Sequence, residues 1–236
     1  MRHFLLASTC CFAFATGAGA ETSITTKQTS PLRTGTIASG AADDIKITSA
    51  GSVELTSGGS AVAITSNNKV TNEGTIQVSN ADNAVGILAS SGTTGEINLS
   101  GKIIVDESYT ATDGDNDGDI DGPFAVGSSR FGIATAGLFT GNINVATTGS
   151  IAIEGNDSYG IRLAGPLNGV LSHDGTTTVL GDRAVGIEAN NISGNVRLAG
   201  TVTAQGVDAI GANLLGNIGG TLTIQGAISS TGYRYT

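Results

Sequence analysis

The densest run of chemistry in the chain is five carboxylates, Asp113, Asp115, Asp117, Asp119 and Asp121, with Gly118 among them. Counted from Asp113, aspartates stand at positions 1, 3 and 5, glycine at 6 and Ile120 at 8, which is the opening of a calcium loop. Hard carboxylate oxygens on a tight turn suit a large divalent cation with flexible coordination. The bidentate glutamate of position 12 is replaced by Phe124, so Asp121, Asp106, Glu107 or water would complete the shell. The five aspartates are read as a structural calcium site, against the plainer alternative of a solvated acidic loop.

Other chemistry is thinner. His173 is the one histidine beyond the first twenty residues, which disfavours histidine metal clusters. Its neighbour Asp174 does not by adjacency make a catalytic triad, and alignment with Leu99, Val145 and Leu198 gives His173 an inward position. Glycoside hydrolysis needs two carboxylates facing across a cleft. Glu96, Glu154, Asp157, Glu188 and Asp208 are the candidates, and Arg130 or Arg162 would supply the base of a lyase. A groove lined by acids from adjacent coils would favour such an enzyme, but the sequence predicts none.

The elements that carry these residues follow from a repeat. An apolar pair around a small residue recurs as AVAIT at 61–65, AVGIL at 84–88, RFGIA at 130–134, SYGIR at 158–162, AVGIE at 184–188 and AIGAN at 209–213. The central residues Ala63, Gly86, Gly132, Gly160, Gly186 and Gly211 are spaced by 23, 46, 28, 26 and 25 residues. The long step is one coil plus an insertion. A second pattern (GEINL at 95–99, GNINV at 141–145, GVLSH at 169–173, GNVRL at 194–198) follows in each of four units. A third closes the unit: GTIQV at 74–78, GKIIV at 101–105, GSIAI at 149–153, GTTTV at 175–179, GTVTA at 200–204 and GTLTI at 220–224. All are short, alternating and β-branched, with turn residues at their ends.

Aligned, the third segments give two inward columns. One runs Ile76, Ile103, Ile151, Thr177, Val202, Leu222; the other runs Val78, Val105, Ile153, Val179, Ala204, Ile224. One coil cannot bury such a face alone, whereas a stack can. The expected fold is all-β: a right-handed parallel β-helix, a solenoid of about 25 residues and three short strands per coil. A β-sandwich fits worse, because antiparallel sheets give no fixed three-strand repeat. The 36 glycines among 236 residues are assigned to tight corners and positive φ. Phe131 and Tyr159, in equivalent places, are expected to stack in the core or at a corner.

Location is written at the start of the chain. Arg2 and His3, the apolar stretch 4–16 and the small residues Ala18, Gly19 and Ala20 read as a secretory signal peptide, residues 1–20. Both cysteines, Cys10 and Cys11, lie inside it, so packing and hydrogen bonds must hold the rest. The expected organisation continues with a lead-in at 21–40, first coils at 41–105, the acidic insertion at 106–129 and further coils at 130–236. Seven of the twenty acidic residues lie between Asp106 and Asp121, so the net charge of −9 is mostly that insertion. An acidic chain of pI near 4.5 lacks a phosphate-binding surface, and no nucleic-acid partner is expected.

The signal segment, the cysteine-free remainder and the GTIQV and AVGI coils together resemble the passenger region of bacterial autotransporters, the type V secreted proteins, over roughly residues 35–236. The stretch 113–133 is similar to an insertion found in some such passengers. The resemblance implies export to the periplasm, then passage through a C-terminal outer-membrane β-barrel to the cell surface or medium. That barrel is expected in the full-length protein and is absent here, the sequence stopping at Thr236 while coil-like segments have barely ended. It implies a non-catalytic structural or adhesive surface whose ligand is a host or surface glycan or protein. A carbohydrate-active lyase or hydrolase is the alternative. Ice binding is a remote one, resting on the outward threonines 176/178, 201/203 and 221/223.

Overall fold

A computed structural model describes residues 21–116 and 120–232. Residues 1–20, which the sequence reads as a signal peptide, and residues 117–119, with Asp117 and Asp119, lie outside these, as do the last four residues. The described chain is all-β, and every pairing between named strands is parallel. Three long sheets form the walls of a solenoid of about eight turns. The first runs from Thr22–Ile24 to Leu222–Ile224 in eight strands, and the second from Lys27–Gln28 to Ala227–Thr231 in eight. The third runs from Leu32–Arg33 to Ile210–Leu214 in seven. Between third and first sheets a short fourth one joins Thr93–Thr94, Phe139–Thr140 and Leu167–Asn168, a strand set the repeat had not revealed.

Each wall exists because alternate residues of its strands are apolar and meet the same residue one coil on. In the second sheet Val53, Ile76, Ile103, Ile151, Thr177 and Val202 are in register and fully buried or nearly so. Successive strands lie about 4.8 Å apart, so such columns pack without gaps. Each buried isoleucine contributes roughly 2 kcal/mol. Polar side chains share this interior, among them Asn72, His173 and Thr177. His173 is wholly buried, as its inward register implied, and its Nε2 lies 2.8 Å from the Thr177 hydroxyl, while Nδ1 has no partner. Desolvation holds the imidazole below its ordinary pKa range.

Several details differ from the sequence expectation. Residues 21–40 hold the first strands of all three walls, so the stack starts at Thr22 instead of after residue 40. Ser60 pairs with Val85 and Val62 with Ile87, which puts Ala61, not Ala63, opposite Gly86. A two-residue slip leaves every side chain on its expected face, so alternation cannot detect it. The segment GTLTI belongs to the first sheet, where Leu222 and Ile224 pair with Val196 and Leu198. The second-sheet columns therefore end in Ile228 and Ser230, and the threonine array is interrupted by Ala227. Leu222 and Ile224 are 42% and 55% exposed at core positions, because no further coil covers them among the described residues.

Glycine takes positive φ at turns as expected, at Gly141, Gly181 and Gly206 among others, and it also plays a second part. Gly186 sits inside the third sheet without a positive φ, and a Cβ there would lie 2.2 Å from Val202 Cγ1 and 2.4 Å from the Gly211 carbonyl oxygen. It is needed for close approach of the third wall to the second. The left-handed position next before the third sheet is a column of other residues: Asn83, Ser129, Asp157, Arg183 and Asp208, with φ between 51° and 58°. Phe131 and Tyr159 stack at 5.5 Å with rings 6° apart, yet they are half-buried on the outside of the third sheet, under the Arg162 guanidinium. Inward space at that level is taken by Ile133 and Ile161.

Candidate functional site

The insertion leaves the second sheet after Lys102–Asp106 and re-enters the third at Arg130–Thr135. Its root is one buried ion pair. Arg130 Nη1 lies 3.0 Å from Glu107 Oε2, with side chains 3% and 8% exposed. Glu107 also accepts the backbone N–H groups of Val126 and Gly127, at 2.6 and 2.8 Å. Arg130 donates through Nε to the Ala81 carbonyl and through Nη1 to the Glu154 carbonyl. Ala81, Glu107 and Glu154 belong to three successive coils, so the guanidinium clamps all three. A Cβ on Gly127 would meet Arg130 Nη2 at 2.0 Å, which explains the glycine there. Buried charges are tolerated only when paired and hydrogen-bonded, and this pair is both.

Beyond the root the chain folds two ways. Asp113, Asp115 and Asp121 converge so that one oxygen of each lies within 4.8 Å of the others. Local hydrogen bonds shape this turn: the N–H of Asn116 donates to Asp113 Oδ1 at 2.6 Å, and that of Gly114 to Asp121 Oδ2 at 2.5 Å. Asp117 and Asp119, the other two expected ligands, lie outside the described residues. Asp106 and Glu107, considered for completing the shell, do not join this group: Asp106 Oδ2 accepts from Gln77 Nε2 at 2.8 Å while its Oδ1 is buried without a partner, and Glu107 holds Arg130. Three carboxylates converging on a turn can hold a hard cation with water completing its shell.

The other arm closes over the outer face of the second sheet. Tyr109 donates to the Pro123 carbonyl at 3.1 Å, joining the two limbs of the insertion. Beneath it lies a cleft of about 670 Å³, lined by Glu107, Tyr109, Ile120, Phe124, Glu154, Leu180 and Gln205 among others. In the sequence Glu154 is one surface acid among several. Phe124, noted there as a missing ligand, is a wall of this cleft.

The remaining acidic candidates belong to the walls. Asp157 pairs with Arg183 at 2.6 Å and Glu188 with Arg162 at 3.4 Å, each one coil apart. The Arg183 guanidinium holds the Asp157 carboxyl below the usual carboxylate range. Arg130 and Arg162, the bases a lyase would need, are taken up by the clamp and by the aromatic pair with Glu188. No protein family, curated protein or solved structure matches the chain.

Proposed function

We propose that the chain is an exported, autotransporter-type passenger, a non-catalytic β-solenoid displayed at the cell surface or released, whose role is structural or adhesive. The observation that carries this reading is the division of labour in the fold: a rigid repeating stack that presents one projecting acidic insertion. The signal-like residues 1–20 and the resemblance of the coils support the location. Antibody raised against residues 106–129 should label intact cells that express the native gene. Labelling only after lysis would overturn the reading.

Within it, the acidic turn takes calcium as a structural ion through Asp113, Asp115 and Asp121, with Asp117 and Asp119 available from the same run. Carboxylates so close repel one another when no cation is bound, so the ion would order the insertion. Calcium at about 1 mM should bind saturably and raise the melting temperature with the logarithm of ligand excess. The double change Asp113→Asn and Asp121→Asn should remove both effects. Absence of saturable binding by the unaltered chain at that concentration would refute the site.

A carbohydrate-active enzyme remains the second reading, because the cleft does gather Glu107 and Glu154 from adjacent coils. Its difficulty is that both Glu107 oxygens are engaged by Arg130 and two backbone N–H groups, leaving Glu154 without a second working carboxylate. Release of reducing or unsaturated ends from acidic polysaccharides would establish that reading over ours.

A further inference from the structure

The cleft under the insertion has a chemistry of its own, independent of where the protein is displayed. Its floor is a column of outward side chains in register on the second sheet, Glu154 beside Leu180 and Leu180 beside Gln205. Its roof carries two aromatic rings, Tyr109 and Phe124, with Ile120 completing the apolar side. A volume near 670 Å³ is within the usual range for small-molecule sites, and so is the pairing of apolar walls with a few polar groups.

Charge decides what kind of molecule fits. No lysine or arginine occurs between Lys102 and Arg130, and Arg130 is turned into the clamp with Glu107. Glu154 Oε2 receives only the backbone N–H of Glu107, at 3.1 Å, and among the described residues no cation pairs with this carboxylate. An anionic ligand would meet the Glu154 carboxylate. A bare divalent ion needs six or more oxygens, which an apolar-walled cleft does not offer. A carboxylate facing aromatic rings instead complements an organic cation, whose charge pairs with the carboxylate and whose body lies on the rings.

We infer that this cleft is a binding site for a small organic ammonium ligand, with Glu154 as the counter-charge and Phe124, Tyr109 and Leu180 receiving its apolar body. The ammonium group sets affinity and the cleft walls set which amine is held.

The test uses the whole chain and three probes that share one phenethyl body: phenethylamine, its N-acetyl derivative and 3-phenylpropionate, titrated by calorimetry and followed by NMR. The amine should bind saturably, and the neutral and anionic analogues at least about tenfold more weakly. Glu154→Gln, which keeps an acceptor for the Glu107 N–H, should weaken the amine by about tenfold. Leu180→Lys places a cation on the cleft floor at a half-buried, outward-facing position and should abolish binding while cooperative unfolding is retained. Should Glu154→Gln fail to fold, Leu180→Lys alone decides. Equal binding of the amine and its acetyl derivative, undiminished binding by Leu180→Lys, or no binding at about 10 mM amine would each overturn the assignment. Repeating the titration with chelator separates this site from the acidic turn: binding in the cleft should persist.

Discussion

The walls of the solenoid and its insertion handle charge in opposite ways. Along the walls, opposite charges meet one coil apart: Lys46 with Glu73 at 2.8 Å, Arg183 with Asp157 at 2.6 Å, Arg197 with Asp174 at 2.7 Å. A repeat in register brings these partners together automatically, about 4.8 Å apart along the axis. The insertion has no neighbouring copy of itself. Its aspartates face one another, and the cation at its root is buried against Glu107. Cohesion is therefore spread thinly over many contacts in the walls and concentrated at one point under the insertion.

That contrast can be tested from its strongest claim downward. Glu107→Ala should cost about 3 kcal/mol in urea unfolding, because it leaves the buried Arg130 with only the longer, solvent-exposed contact to Asp82 at 3.5 Å as counter-charge. Adding Arg130→Met should recover much of the loss. A single-mutant cost under about 1 kcal/mol would show that the root is no more critical than a wall contact. Gly186→Val, which drives a side chain into Val202 and the next coil's carbonyl, should cost about 2 kcal/mol. A larger loss than that of Glu107→Ala, measured by the same denaturation, would invert the comparison.

The third prediction concerns pH. The His173 pKa is depressed in the folded chain, so the unfolded chain takes up the proton first as pH falls. Stability should be full above about pH 6.5 and decline below it, by at most about 1.4 kcal/mol per pH unit, until the folded pKa is reached. His173→Leu should flatten that slope in urea midpoints measured from pH 8 to 5. The smallest effect is expected from the loop itself: replacing residues 110–122 by a short Gly/Ser linker should shift unfolding by less than about 1 kcal/mol, since loop length alone costs little.

What could be read in advance follows the same division. The coils were legible because nearly every inward position is apolar in every turn, so Ile76, Ile103 and Ile151 announce one another through spacing alone. The pairing of Ala61 with Gly86 was not, since a slip of two residues preserves facing. The place of GTLTI was hidden because first- and second-sheet strands share one alternating pattern. In the site, Asp113, Asp115 and Asp121 are close in sequence and close in space. The cleft gave no such signal. It joins Phe124 on a loop to Glu154, Leu180 and Gln205, each about 26 residues from the next, and outward positions are under no shared demand. Glu107 and Arg130 were missed as a pair for a related reason: an ion pair across the base of a long loop leaves no periodic trace.

The three-coil grip of Arg130 has a mechanical consequence. In a solenoid the hydrogen bonds of all three walls run along the axis, so a pull on its ends loads the coils in series, and each can peel away at a similar force. Arg130 ties Ala81, Glu107 and Glu154 across consecutive turns. Force traces should therefore show even coil-by-coil steps that stop at this rivet, where three turns must yield together.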